Sequence, residues 1–226
     1  GRPVLASSGL DLAPTIALDK LGKVDILFVC GGINVRDAVS APLLTALRRL
    51  AERRVALGGL CTGGYALARA GLLDNYRATI HWENLPALRE EFPRVQLNDQ
   101  VFSIDRDRYT CSGGTAPLDL MLNLIQLKHG PQVSQQVSEQ FVLERVRSAE
   151  DRQYVPLRAQ VGASHRSMIK VAELMEEHIE KPLSLDRIAR TTGLSRRQIE
   201  RLFRRHLGCV PKKYYLEMRL RRAREL

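Results

Sequence analysis

One cysteine stands where a predicted buried strand meets a predicted helix. Residues 55–60 form an apolar run typical of a buried strand, residues 61–64 read Cys-Thr-Gly-Gly, and residues 65–70 have helical character. A residue at so sharp a strand-to-helix turn has the geometry of a nucleophile elbow. The helix N-terminus predicts a lowered pKa for the Cys61 thiol and backbone N–H groups suited to an anion or carboxylate. The alternative is a small buried thiol in a structural turn.

The single tryptophan of the chain lies between a histidine and an acid. His81, Trp82 and Glu83 follow a possible strand at residues 77–81, and ligands of α/β sheets bind at the carboxyl ends of strands. His81 could serve as a base for Cys61. Trp82 could face a ligand cation, with Glu83 as its counter-charge. Placement of the His and Trp side chains in the core is the alternative.

Two glycine turns belong to the same candidate site. The apolar run at residues 24–30 ends at a Gly-Gly pair that includes Gly32. Residues 112–115 (Ser-Gly-Gly-Thr) open a strong helix predicted at residues 116–129 and offer another possible ligand-facing N-terminus. No residue is assigned a catalytic role beyond Cys61 as a vestigial nucleophile, and no metal or cofactor is predicted. The predicted ligand-binding residues are Cys61, Thr62, His81, Trp82, Glu83 and Gly32.

Residues 185–208 predict two short helices joined by a tight turn. Ala189 is small where the helices would cross, Gly193 supplies the turn, Ser195 stands at an N-cap position, and Ile199 is an apolar plug. This arrangement is a helix-turn-helix, whose second helix enters the DNA major groove. An amphipathic helix pair with a solvated basic face is the alternative, but it does not require these residues in this order.

The exposed face of the second helix carries the predicted DNA contacts. Arg197, Gln198 and Arg201 occupy its N-terminal half and are expected to face base edges. Phosphate contacts are expected from Arg196, Arg204 and Arg205, with Ser195 at the helix N-terminus.

The order of elements predicts an α/β fold followed by an all-α part. Strand and helix signals alternate through residues 1–147, which implies a parallel sheet of flavodoxin-like type. Helices are expected at residues 132–147 and, bracing the helix-turn-helix, at residues 166–180. Residues 148–164 are polar, contain Pro and Gly, and are predicted to be a linker to the helical domain at residues 165–226.

Charge divides the chain in the same place. The formal net charge is +10, and residues 164–226 hold 16 Lys and Arg against 8 Asp and Glu. This distribution is the electrostatic footprint of a nucleic-acid module joined to a nearly neutral domain. The four cysteines lack metal-type spacing and indicate a reducing, cytoplasmic setting. No apolar run approaches the roughly 20 residues of a membrane span, and no secretory signal is seen.

Residues 185–226, including the Cys-Val-Pro-Lys-Lys-Tyr-Tyr that begins at Cys209, resemble the DNA-binding domain of AraC-type regulators. The preceding part resembles the PfpI-like, class I glutamine amidotransferase-like domain fused to such regulators. The motifs that carry this second resemblance are Ala-Ser-Ser-Gly-Leu at residues 6–10, Val-Cys-Gly-Gly at 29–32, Cys-Thr-Gly at 61–63, Ala-Arg-Ala-Gly-Leu-Leu at 68–73, His-Trp-Glu at 81–83 and Ser-Gly-Gly-Thr-Ala-Pro at 112–117. The resemblance is strongest to regulators of glycine betaine, carnitine and arginine catabolism.

The chain departs from these families in three places. The second helix-turn-helix of AraC-type domains is absent, and so are the strands that precede the Ala-Ser-Ser-Gly motif, so the sequence has the pattern of a domain pair truncated at both ends. Catalytic relatives often have His directly after the nucleophile, whereas Thr62 follows Cys61, as in isonitrile hydratases and the fused regulators.

Two functions follow from these observations. The first is a transcriptional regulator, expected to be an activator, that binds promoter DNA in response to a small cationic or zwitterionic inducer such as an amino acid or a quaternary amine. The protein is expected to form a homodimer and to contact RNA polymerase. It is not expected to associate with a membrane. The second is a cysteine-dependent hydrolase or hydratase using Cys61, which would leave the helix-turn-helix without a role.

Overall fold

The computed structural model describes residues 3–6, 9–155 and 165–224. The chain divides into two compact units, Gly1–Gln153 and Tyr154–Leu226. Residues 148–153, assigned to the linker by the sequence analysis, therefore belong to the first unit. They do so because their backbone pairs with it: Val101 N donates to Asp151 O at 2.8 Å, and Gln153 N donates to Asp99 O at 2.9 Å. Most of the predicted linker lies outside the described residues.

A four-stranded sheet forms the centre of the first unit. The strand order is β3-β4-β8-β7, with β4 parallel to β3 and to β8, whereas β7 is antiparallel to β8. The predicted parallel sheet is thus confirmed, and a hairpin formed by β7 and β8 supplies its antiparallel edge. The strands are β3 (Ile26–Cys30), β4 (Ala56–Leu60), β7 (Phe102–Asp105) and β8 (Arg108–Cys111).

Four shorter strands in the described part of the chain lie outside this sheet. The chain begins with an antiparallel pair, and a parallel pair forms later between residues 77 and 97. The strand expected at residues 77–81 is shorter than predicted and does not join the main sheet, because Thr79 N donates instead to the Thr110 side chain at 2.9 Å. These strands are β1 (Val4–Leu5), β2 (Asp11–Leu12), β5 (Arg77–Ala78) and β6 (Gln96–Leu97).

Helices of the first unit bury their apolar faces against the sheet. Leu47, Leu67 and Ile80 are fully buried in one cluster, and Phe102 and Leu120 are fully buried in a second. The helices are α1 (Val35–Ala38), α2 (Ala41–Glu52), α3 (Gly64–Arg69), α4 (Leu85–Glu91), α5 (Ala116–His129) and α6 (Pro131–Gln140).

The helix predicted at residues 132–147 ends at Gln140. Two residues later Val142 has a φ of 53°, a conformation that a β-branched residue rarely adopts and that cannot continue a helix. Beyond it, Arg147 is drawn to Asp119 of α5, with Arg147 Nη2 at 2.6 Å from Asp119 Oδ2. Arg147 also donates to the Thr115 hydroxyl. Thr115 stands at the N-cap position of α5, but its side chain makes no capping hydrogen bond of the kind that a Ser or Thr at this position usually makes.

The second unit is helical, as its apolar periodicity predicts. Its buried cluster contains Met168, Met175, Ile188, Ile199 and Phe203. Met168 and Met175 are seven residues apart, two helical turns, and Ile199 and Phe203 are four apart, so each pair lies on one face of its helix. The helices are α7 (Arg166–Glu177), α8 (Leu185–Thr192), α9 (Arg196–Leu207) and α10 (Pro211–Arg224).

The turn between α8 and α9 has the predicted chemistry. Gly193 caps α8 in the left-handed region with a φ of 70°, where a side chain would be strained. Ser195 and Gln198 form a capping box at the start of α9, since each side chain accepts a hydrogen bond from the other residue's backbone N–H. No helix among the described residues is long and apolar enough to cross a membrane.

Candidate functional site

Cys61 occupies the sharp turn predicted for it. It follows β4 directly, begins a short 3-10 turn over Cys61–Gly63, and has a φ of 57°. The close approach of two backbones fixes this turn, since a Cβ on Gly63 would collide with the carbonyl oxygen of Val29 in β3. The elbow is therefore a consequence of glycine at residue 63 and of the parallel pairing of β3 with β4.

Thr62 and Gly32 join the ends of the same two strands. The Thr62 side chain is buried, and its hydroxyl donates to the Gly32 carbonyl at 2.7 Å. This hydrogen bond ties the loop after β3 to the turn after β4. The two residues consequently hold the turn in place, which is a positioning role for residues that the sequence analysis put in contact with ligand.

The predicted lowering of the Cys61 pKa is wrong. Burial raises the pKa of the thiol from its ordinary value of 9.0, and the negative charge of Glu83 raises it further, although a hydrogen bond from the Thr62 backbone acts in the opposite direction. The thiol is therefore protonated at neutral pH.

Alkylation should show this protonation state. We expect iodoacetamide to label Cys61 slowly at pH 7 and increasingly fast as the pH rises towards and above 9.0, the ordinary thiol value, because the thiolate is the reacting form. Mass spectrometry of the labelled peptide gives the rate at each pH, with a Cys61→Ser variant as the control. A labelling rate that reaches its plateau below pH 7 would show an activated thiolate instead.

His81 and Cys61 both lie beside Gly113. A methyl group added to Gly113 would collide with the His81 ring, and would lie 3.1 Å from His81 Nε2 and 3.3 Å from Cys61 Sγ. Glu83 Oε2 lies 3.6 Å from His81 Nδ1. A thiol, an imidazole and a carboxylate are thus collected beside residues 112–115, although β5 does not belong to the main sheet.

Trp82 is half-buried and has two sets of neighbours. Its side chain packs against the large apolar cluster of the first unit. The ring also lies against His81, with centroids 5.4 Å apart and an angle of 34° between the planes. Glu83 is well exposed, with 62% of its side chain accessible. Trp82 is therefore partly a core residue, the alternative considered from the sequence, and partly a neighbour of the candidate site.

A second thiol beside Cys61 was not identified from the sequence. Cys111 ends β8, is fully buried, and has its pKa raised to about 12 by burial, although a hydrogen bond from the Cys61 backbone acts against the rise. The signal in the sequence was the position of Cys111 directly before the glycine turn at residues 112–115. Among the described residues, no group of three or more His, Cys, Asp or Glu side chains is arranged to hold a metal ion.

The predicted DNA-contacting residues line the outer side of α9. Ile199 and Phe203 are fully buried on its inner side, and the four arginines 197, 201, 204 and 205 are exposed. Gln198 Oε1 accepts from the Ser195 backbone at 2.7 Å, which leaves the amide nitrogen of Gln198 to donate. The guanidinium of Arg196 is 3.3 Å from Asp186 of α8, so that an ion pair holds a residue expected to reach a phosphate.

Known proteins resemble this chain in both of its units. The family model described as the DJ-1/PfpI family matches residues 1–127. The chain is 46% identical over its whole length to the HTH-type transcriptional regulators GbdR and CdhR of Pseudomonas aeruginosa, of which it covers 62% and 67%. It therefore spans about three fifths of the length of the first of these relatives.

Two further likenesses are to a solved regulator structure and to an enzyme. The crystal structure of an AraC family transcriptional regulator from Pseudomonas putida is matched with a TM-score of 0.57 and 34% identity, over 62% of this chain and 76% of that one. An isonitrile hydratase of Pseudomonas putida is 33% identical over 143 residues, which are 62% of this chain and 60% of that enzyme. The first unit places the chain in the DJ-1/PfpI family. Because a helix-turn-helix unit follows it, the chain belongs to the AraC-type transcriptional regulators that contain such a domain.

Proposed function

We propose that the protein is a sequence-specific DNA-binding regulator of transcription whose first unit senses a small metabolite. The observation that carries the proposal is α9: a capped helix with a buried apolar side and an outer side of exposed arginines, preceded by α8 and a glycine turn. This geometry suits a major groove. The regulators that share 46% identity over all 226 residues support it.

The groups collected around Cys61 suit a zwitterionic ligand. A quaternary amine or an amino group would lie against the Trp82 ring, with the exposed Glu83 carboxylate as its counter-charge. Backbone N–H groups of the turn after Cys61 would bind the carboxylate. His81 contacts both Trp82 and the Gly113 surface and would form the floor between the two ends of the ligand.

An enzyme that uses Cys61 is the second candidate, and specific observations bear on it. The elbow geometry and the likeness to an isonitrile hydratase favour it, whereas the raised pKa of the thiol opposes nucleophilic activation. Turnover of an isonitrile that disappears in Cys61→Ala would establish the enzyme. A Cys61→Ala variant that still binds operator DNA and responds to a metabolite supports the regulator.

We further propose that the intact protein is a cytoplasmic homodimer that contacts RNA polymerase at its promoters. One recognition helix reads a short half-site, and two-fold pairing doubles the sequence that is read. Sedimentation velocity at micromolar concentration should give a dimer with or without ligand. A monomer under both conditions contradicts the assembly.

A thermal-shift screen of amino acids and quaternary amines tests the sensing role. A ligand that binds the folded state raises its stability in proportion to RT ln(1 + [L]/Kd), so the melting temperature should rise with ligand concentration. The hit is then added to a gel-shift titration with promoter DNA. The proposal requires that the ligand change the affinity for operator DNA, and a ligand that stabilises the protein but leaves that affinity unchanged contradicts it.

A further inference from the structure

The last residues of the first unit form a folded segment rather than a loose connection. Arg145 Nη2 lies 2.6 Å from both carboxylate oxygens of Asp151, and Ser148 N donates to Asp151 at 2.7 Å. Burial alone would raise the pKa of Asp151, but these hydrogen bonds hold it below its ordinary value of 3.8. The carboxylate is therefore charged at neutral pH and keeps the segment closed. We call residues 147–153 the clamp segment.

One end of the clamp segment holds the start of α5. Arg147 N donates to Asp119 Oδ1 at 2.8 Å, and its guanidinium donates to Asp119 Oδ2 at 2.6 and 2.9 Å. The same guanidinium donates to the Thr115 hydroxyl at 2.7 Å. Asp119 is almost fully buried, which strengthens these interactions. Thr115 directly follows the glycine turn against which His81 and Cys61 lie.

The other end of the clamp segment holds the peptide group before His81. The Gln153 side chain donates from Nε2 to Ile80 O at 3.0 Å and to the Thr79 hydroxyl at 3.1 Å. Ile80 is fully buried, and its carbonyl belongs to the peptide bond that leads into His81. Gln153 is therefore linked to His81 through a single peptide group.

Gln153 also carries an unsatisfied group. Its Oε1 is buried and has no hydrogen-bond partner among the described residues. A buried acceptor without a donor is unfavourable, so a rearrangement that supplies one is favoured. Gln153 ends the first unit, and Tyr154 is the first residue of the unit that contains the helix-turn-helix.

We propose that the clamp segment transmits ligand occupancy from the site around Cys61, His81 and Trp82 to the DNA-binding unit, with Gln153 as the positioning residue. This inference rests on the proposed sensing function. Ligand binding moves the Ile80–His81 peptide group, the Gln153 hydrogen bonds change, and the backbone that enters the second unit moves with them. Two sites are coupled when both bias the same element, and Gln153 is that element.

The test compares Gln153→Ala and Gln153→Glu with Gln135→Ala in the intact protein. Glu keeps the size of Gln153 but removes the N–H donor. Gln135 is an exposed glutamine of α6 whose amide donates to Glu139 at 3.0 Å, so it is a matched control outside the site. Glycine betaine serves as the ligand probe, and affinities for ligand and for operator DNA are measured separately, each with and without the other.

Both Gln153 variants are expected to bind glycine betaine within about threefold of wild type but to lose the effect of ligand on operator affinity, which in coupled systems is typically about 5–150-fold. Hydrogen exchange at residues 80–83 should accelerate in both variants without ligand, and Gln135→Ala should match wild type. Full coupling in both folded Gln153 variants overturns the inference. If wild type binds no glycine betaine, the proposed ligand class is overturned instead. In that case the hydrogen exchange still tests the clamp segment, because an unchanged exchange rate at residues 80–83 in both Gln153 variants overturns its role.

Discussion

Replacing Trp82 by alanine is expected to weaken binding of a zwitterionic quaternary amine while leaving the first unit folded. A cation on an aromatic face contributes about 0.5–2 kcal/mol, so the dissociation constant should rise roughly 2- to 30-fold. Trp82 is half-buried, and the melting temperature should therefore fall by less than it would for a fully buried aromatic residue, whose loss costs about 3–5 kcal/mol. Calorimetric titration and thermal unfolding of the same variant measure the two effects.

Phe92→Ala is the matched control for this substitution. Phe92 is also a half-buried aromatic residue of the same apolar cluster, but it packs against Tyr65, with ring centroids 5.8 Å apart. It should lower the melting temperature without changing ligand affinity. Equal affinity losses in the two variants, or none in Trp82→Ala, would place the ligand away from Trp82.

Arginines of α9 are expected to divide into two classes when they are replaced by alanine. Arg201→Ala should cost about 1–3 kcal/mol of operator binding and relax the base preference at one position, because we expect Arg201, in the N-terminal half of the helix, to contact a base edge. Arg205→Ala should weaken operator and random DNA alike and should reduce the salt slope by about 1, as the loss of a phosphate contact does.

Binding titrations on operator and random DNA at several salt concentrations distinguish the classes. Arg94→Ala is the control, since Arg94 is 76% exposed and pairs with Asp74 in the first unit, so the same charge is lost away from α9. If Arg201→Ala and Arg205→Ala each lose the same amount of affinity for operator DNA as for random DNA, Arg201 does not contact a base.

Local patterns allowed the sequence to predict the helical unit closely. Ser195, Gly193 and Ile199 act within a few residues of one another, and capping, left-handed backbone and apolar periodicity are local properties. The turn at Cys61 was predictable for the same reason, because an apolar strand, a cysteine and two glycines follow one another directly.

Features that depend on distant pairs were not predictable. The pKa of Cys61 is raised by burial and by Glu83, a residue 22 positions away in the sequence. The helix after residue 132 ends at Gln140, two residues before Val142 adopts a φ of 53°, and the chain beyond it is held by the Arg147–Asp119 ion pair. Gln153 reaches Ile80 across 73 residues. Such pairings are invisible to helical or strand periodicity, which is why residues 148–153 were assigned to a linker.

Thermodynamic linkage gives the most direct test of the claim that one chain joins a metabolite site to a DNA-reading helix. The dissociation constant of the ligand is measured by calorimetry with the intact protein, first alone and then saturated with operator DNA. If the two sites are coupled, operator DNA changes the ligand dissociation constant by the same factor by which ligand changes operator affinity, and random DNA at equal charge has a smaller effect. Identical ligand dissociation constants with and without operator DNA would contradict the account.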